Sequence, residues 1–136
     1  MDEFKTLVVE DSLVFRQTLV DILTTKFPRM ILEEAVDGKE ALQKVSDFLP
    51  NLIFMDIKLP GENGLQLTRK IKKNYPQIKI IILTSYDLPE YREASSQYGA
   101  DYFLVKGTAT NGGIISLVET ILKDSGFNCN GSSFPS

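Results

Sequence analysis

Three carboxylates, a hydroxyl and an amine stand in this chain where short apolar runs end. Glu10 and Asp11 follow the first run, Asp56 the third, Thr84 and Ser85 the fourth, and Lys106 the fifth. If the runs are parallel strands of one open sheet, these side chains meet beyond the carboxyl ends of the strands, where such sheets bind ligands. Carboxylates crowded together raise one another's pKa unless a cation neutralises them. An all-oxygen, partly open set suits Mg2+, which binds through one or two carboxylates and keeps waters and a phosphate oxygen. Lys106 offers a point charge to a transferring phosphoryl group. Asp56, a carboxylate nucleophile beside a hard cation and a lysine, could then receive that group, because the chemistry is mostly positioning and charge neutralisation.

The elements that must position these residues are legible in the pattern. The apolar runs are Thr6 to Val9, Met30 to Val36, Leu52 to Met55, Ile78 to Leu83 and Tyr102 to Val105. The third and fourth are nearly unbroken, as central strands covered on both faces should be. The second carries Glu33 and Glu34 and belongs nearer an edge. Between the runs, apolar residues recur at helical spacing: Phe15, Leu19, Ile22 and Leu23; Leu42, Val45 and Leu49; Leu67 and Ile71; Ile114, Ile115, Val118, Ile121 and Leu122. Asp37 with Glu40, and Asp87 with Glu90, have capping-box spacing with Asp as the cap, and Pro89 falls in a first turn. The segment from Asp87 to Tyr98 is polar, with Leu88, Tyr91 and Ala94 as its main apolar contacts, so it should be the least firmly held helix. Five alternations of strand and helix predict an α/β fold: a doubly wound, five-stranded parallel sheet with helices on both faces.

Composition narrows the function. A chain of 136 residues suffices for one domain with one core. A net charge of −3 argues against a nucleic-acid grip, which needs clustered Lys and Arg. Histidine is absent, which removes Ser-His-Asp and Cys-His catalysis and His-based zinc sites. The single Cys129 cannot form an internal disulfide, and no stretch reads as a signal peptide or a membrane span, so a cytoplasmic location is expected. The domain is expected over residues 1–124. Residues 125–136 are rich in Gly, Ser and Asn and read as a disordered tail or linker remnant.

Taken in order, the acidic pair Glu10-Asp11, the stretch Asp-Ile-Lys-Leu-Pro-Gly-Glu-Asn-Gly from Asp56 to Gly64, Leu-Thr-Ser at 83–85 and Gly-Ala-Asp-Tyr-Phe-Leu-Val-Lys from Gly99 to Lys106 resemble the receiver domains of two-component response regulators. The resemblance runs from about Lys5 to Lys123. It implies a flavodoxin-like strand order 2-1-3-4-5. It implies that Asp56 takes a phosphoryl group from a sensor histidine kinase or phosphotransfer protein. Glu10, Asp11 and Asp56, with the backbone carbonyl of Lys58, would hold Mg2+. Thr84 would donate its hydroxyl to one phosphoryl oxygen, Lys106 would pair with another, and Phe103 would be the aromatic switch residue. The surface of the fourth helix, fifth strand and last helix would then act on an output domain or a homodimer partner. Residues 99–106 look like those of transcription regulators with a C-terminal helix-turn-helix domain. Such a protein is a phosphoacceptor with weak intrinsic phosphotransfer and autodephosphorylation, rather than an enzyme in its own right.

Two departures stand out. Gly107 occupies the place where the family often has a cis proline, and a cis bond before a non-proline residue costs about 2.5–4 kcal/mol, so a trans Lys106–Gly107 bond is expected. Phe103 lacks the hydroxyl of the commoner tyrosine. Plainer roles also exist: Asp56 as a cap, Glu10 and Asp11 favouring a helix N-terminus, Lys106 as a solvated lysine, Thr84 as a β-former with Ser85 as rival hydroxyl, and Phe103 as ordinary core. Lys58 and Tyr86 would flank the site, as exposed loop residues or as groups that tune hydrolysis of the phosphoaspartate. An aspartyl phosphatase would carry Asp-x-Asp where this chain has Asp56-Ile57-Lys58, and no glycine-rich nucleotide loop follows a strand. A degenerate receiver, binding partners without phosphorylation, is the remaining alternative.

Overall fold

Each apolar run becomes a strand in the computed structural model, which describes residues 3–127. In chain order the elements are β1 (Lys5–Val9), α1 (Leu13–Lys26), β2 (Ile31–Ala35), α2 (Gly38–Phe48), β3 (Leu52–Asp56), α3 (Gly64–Asn74), β4 (Lys79–Thr84), α4 (Pro89–Gln97), β5 (Tyr102–Val105) and α5 (Asn111–Asp124). The strands form one sheet in the order β2-β1-β3-β4-β5, every pair parallel. The chain starts at β1, turns outward to β2, then crosses back to β3, so the winding reverses between β1 and β3. That reversal opens a crevice at the carboxyl ends of these two strands.

Side-chain alternation sends the strands' residues to two cores. Leu19 and Leu23 of α1 and Ile114, Val118, Ile121 and Leu122 of α5 meet Val8, Leu52, Phe54, Ile81 and Leu83 on one face. On the other, Ala41, Val45, Leu67 and Ile71 of α2 and α3 meet Leu7, Val9, Ile53, Met55, Ile80 and Ile82, with Tyr91 and Ala94 of α4 at the margin. β3 is buried along its whole length. β2 lies at an edge, as its glutamates require: Glu33 pairs with Lys44 at 3.3 Å and Glu34 with Arg16 at 2.9 Å.

Helix ends show where local signals held and where they were overridden. The Asp37 carboxylate accepts from the Glu40 N–H at 2.8 Å, and the Glu40 carboxylate accepts from the Val36 N–H at 2.9 Å, one residue before the cap. The box expected at Asp87 does not form. The N-cap of α4 is Leu88, without a side-chain hydrogen bond, and Asp87 takes Arg92 Nε at 2.6 Å instead. A guanidinium is a stronger partner for a carboxylate than a backbone N–H. Pro89 opens the helix as expected, only Ser95 of α4 is fully buried, and Leu88 is 39% exposed rather than a main contact. The Lys106–Gly107 bond is trans, since no described peptide bond is cis. None of the described helices is long and apolar enough to cross a membrane.

Two further departures concern helix exits. Leu49 was expected on the buried face of α2, but it is the C-cap, in the left-handed region at φ 51, and 53% exposed. Pro50 follows, and the residue before a proline is barred from continuing a helix. At the end of α5, Gly126 has φ 82 and its N–H bonds Lys123 O, while the Phe127 N–H bonds Leu122 O. This pattern is a Schellman closure that only glycine enters freely. It returns Phe127 to the Phe4 ring, edge to face at 5.0 Å, so the described fold runs three residues past the expected boundary at 124. Cys129 and the remainder of the expected tail lie outside the described residues.

Leu49 yields a test. A left-handed bulky residue that buries little should be improved by glycine, so Leu49→Gly is expected to stabilise the fold by about 0.5–1 kcal/mol. The midpoint of urea unfolding reads this directly, and a lower midpoint would mean that Leu49 contributes packing that its exposure does not suggest.

Candidate functional site

The sheet brings the candidate residues to one rim. Val9 is level with Met55, Asp56 with Leu83, and Thr84 with Val105, so Glu10 stands level with Asp56, Thr84 one residue further along β4 and Lys106 two residues further along β5. The ladder continues past the strand ends through Glu10 N–H to Ala35 O at 3.0 Å and Lys106 N–H to Thr84 O at 2.8 Å. Alternation then sorts the side chains. Glu10, Asp56 and Lys106 follow Val8, Phe54 and Leu104 onto the α1/α5 face, whereas Thr84 and Phe103 fall on the side of α2, α3 and α4.

On the first face the charges are dense. One oxygen from each of Glu10, Asp11 and Asp56 lies within 4.8 Å of the others. Glu10 is fully buried, Asp56 is 5% exposed and Asp11 is open to solvent. Lys106 Nζ sits 2.5 Å from Glu10 Oε1 and 3.4 Å from Asp56 Oδ2, and 4.6 Å from the centre of the Phe15 ring. Glu10 Oε2 accepts from the Ser12 N–H at 3.0 Å, and Arg16 Nη1 donates to the Glu10 carbonyl at 2.8 Å. Burial, and next the charge of Glu10, push the Asp56 carboxyl up to about 7 despite the opposing pull of Lys106. One ammonium therefore does not neutralise this set. Glu10 Oε1 faces Lys106 at ion-pair distance without a directed hydrogen bond. A hard divalent cation fits here, since all the donors are oxygens and one is exposed toward solvent.

The loop after Asp56 is folded tightly against it. Lys58 bridges to Asn63, the Gly64 N–H bonds Ile57 O at 2.8 Å, and Asn63 Oδ1 caps α3 from the Leu65 N–H at 2.7 Å. A Cβ on Gly64 would lie 1.8 Å from the Asp56 carbonyl oxygen, so this position has no room for a side chain. In the sequence Gly64 is marked only as the last residue of the stretch that begins at Asp56. The Lys58 side chain is exposed and its Nζ lies 5.7 Å and 6.0 Å from the ring centres of Tyr86 and Tyr91.

Thr84 is fully buried, and its Oγ1 accepts from the Tyr86 N–H at 3.0 Å. A hydroxyl that accepts one bond can still donate another. Phe103 is half-buried, with the Arg92 guanidinium carbon 4.6 Å from its ring centre. Phe15, Arg16 and Arg92 all touch the site or its neighbours, and none was singled out for it from the sequence. Helical spacing puts Phe15 on the apolar face of its helix, but nothing in the pattern links that face to Lys106.

Comparison with known proteins agrees with this geometry. Residues 6–119 match the family described as the response regulator receiver domain. The chain is 36% identical over 120 residues to the oxygen regulatory protein NreC of Staphylococcus carnosus and 33% identical to that of Staphylococcus aureus, covering 88% of this chain and 55% of each relative. It thus spans about half the length of these curated relatives. Among solved structures, a response regulator receiver domain protein (CheY-like) from Methanospirillum hungatei superposes with a TM-score of 0.83 at 28% identity, over 90% of this chain and 96% of that one. A DNA-binding response regulator of the LuxR family from Staphylococcus aureus shares the fold, with a TM-score of 0.80 at 24% identity, over 87% of this chain and 98% of that one.

Three outcomes follow from the site's geometry and electrostatics. Asp56 ionises near 7 when folded but near its ordinary 3.8 when unfolded, so the folded state binds the extra proton between those values. Without divalent cations, stability should fall as pH rises through this window and level off above it. Asp56→Asn removes the penalty, and should be more stable than the parent chain by up to about 4 kcal/mol at about pH 8, with the gap closing below about pH 4. Thermal unfolding at the two pH values checks this. Gly64→Ala should destabilise by about 2 kcal/mol or more through overpacking against the Asp56 carbonyl, read as a lower denaturant midpoint.

Proposed function

The chain belongs to the response regulator receiver domain family, and on that premise we propose that Asp56 is the residue that accepts a phosphoryl group, from the phosphohistidine of a sensor kinase or phosphotransfer protein. The observation that supports this most strongly is a nearly buried carboxylate at the end of β3, clustered with Glu10 and Asp11 and 3.4 Å from Lys106. In the transfer an oxygen of Asp56 forms a bond to phosphorus as the phosphorus–nitrogen bond to the donor imidazole breaks. The electron pair leaves with that nitrogen, restoring a neutral imidazole after proton exchange with water. The product is an acyl phosphate on β3.

Glu10, Asp11 and Asp56, with the Lys58 carbonyl, are the proposed holders of Mg2+. When bound, the cation supplies charge neutralisation for the carboxylates and for phosphoryl oxygens. The chain's own contribution is placement. Lys106, held between Glu10 and Asp56, is poised to pair with a phosphoryl oxygen. Thr84, one strand over, would donate its hydroxyl to another, and its shift would be accompanied by rearrangement of Phe103. The responsive surface would be that of α4, β5 and α5, offered to an output domain or to a second copy of the chain. Because the acceptor carboxylate is itself modified and must be restored before it can be used again, the domain acts as a switch with slow self-dephosphorylation rather than as an enzyme.

Incubation with Mg2+ and acetyl phosphate should add one phosphoryl group by intact mass. Asp56→Asn should abolish the adduct, and Lys106→Ala should slow its formation about a hundredfold or more, the usual scale for losing one group that stabilises developing charge. An adduct that survives Asp56→Asn would reject the assignment. Absence of any adduct would favour a phosphorylation-independent interaction module.

A further inference from the structure

A chain of contacts links the loop that carries Thr84 to the ring of Phe103. Thr84 Oγ1 takes the Tyr86 N–H at 3.0 Å. The next residue, Asp87, takes Arg92 Nε at 2.6 Å, and the Arg92 guanidinium covers the Phe103 ring at 4.6 Å. The Arg92 side chain is half-exposed and is not among the buried residues of α4, of which Ser95 is the single one. Asp87 stands where a helix cap would be useful, yet α4 has no side-chain cap and the carboxylate is committed to Arg92 instead. A planar guanidinium is suited to lie flat on an aromatic face while its edge grips a carboxylate.

We propose that Asp87 and Arg92 form a latch that holds Phe103 in its resting position and releases it when the Thr84 loop moves. The proposal rests on the roles given to Thr84 and Phe103 above. Only Ser85 and Tyr86 separate Thr84 from Asp87, so displacement of Thr84 toward Asp56 pulls the carboxylate with it. The 2.6 Å pair and the 4.6 Å stack share one guanidinium. Either the pair or the stack must part, and each leaves the Phe103 ring uncovered and free to turn. The latch thereby couples two residues that lie on different strands. It is also mild by design, since exposed pairs and stacks are weak, and a mild latch can be opened by a single phosphoryl group.

The test uses the full chain and its variants Arg92→Ala, Arg92→Lys, Asp87→Ala and the Asp87→Ala/Arg92→Ala double, with folding checked by circular dichroism. NMR resonances of the Phe103 ring are recorded without phosphodonor, and labelling by acetyl phosphate is timed with Mg2+. In Arg92→Ala the ring resonances should move toward those of the phosphorylated parent, and labelling should speed about threefold to tenfold. Asp87→Ala should produce part of this effect, and the double variant no more than Arg92→Ala alone. Arg92→Lys keeps a charge for Asp87 but loses the flat stack, and should resemble Arg92→Ala at Phe103. Ring resonances in Arg92→Ala that coincide with the resting parent, or strictly additive single variants, would overturn the latch. A parent chain that is never labelled would instead overturn the phosphoacceptor reading, while the ring resonances of the unlabelled chains would still decide whether Arg92 holds Phe103.

Discussion

Carboxylates drawn out of water at one sheet rim resist being charged together, and the molecule is organised around that resistance. Glu10 is fully buried and Asp56 nearly so, with Lys106 wedged against both. Burying ionised groups costs several kcal/mol each unless partners compensate, and one ammonium shared between two carboxylates compensates only in part. The site is therefore under electrostatic tension that a further cation, or a proton on Asp56, relieves. Its position is set by topology. β1 and β3 are the neighbours between which the winding reverses, so their terminal acids meet without any long loop having to be ordered.

Tension of this kind persists only if the backbone around it cannot relax. The loop from Asp56 to Gly64 supplies that rigidity. It returns on itself through the Lys58–Asn63 bridge and lays the bare Cα of Gly64 against the Asp56 carbonyl. Arg16 grips the Glu10 carbonyl while pairing with Glu34, which ties the acidic pair to the neighbouring edge strand. By contrast α4 rests on the sheet through few buried side chains. A tightly folded loop around the buried acids beside a lightly held helix is the arrangement that the proposed switch requires.

Much of this was legible in the sequence because it follows from short-range pattern. The uninterrupted runs at β3 and β4 announced central strands, and Glu33 and Glu34 announced the edge at β2. Once the strands were parallel, the residues ending them had to share a rim, so Glu10, Asp11, Asp56, Thr84 and Lys106 could be named in advance. What escaped depends on competition between partners or on space. Asp87 had the right spacing to cap α4, but spacing carries no information about Arg92 as a rival. Leu49 fitted the helical stripe of α2, and Pro50 decided otherwise. Gly64 closed a stretch that resembled a family motif, whereas its real constraint is the carbonyl that packs where a Cβ would stand. Which face each rim residue takes, with Thr84 and Phe103 opposite Asp56, emerges only from the register.

The electrostatic tension itself can be measured by following the Asp56 side-chain carboxyl carbon by NMR across pH, with and without Mg2+. Titration near 7 in the metal-free chain, collapsing into the ordinary carboxylate range when Mg2+ is present, is the expected result. An Asp56 that titrates near 3.8 without metal and ignores Mg2+ would contradict it, because the acids would then be neither crowded nor in need of a cation.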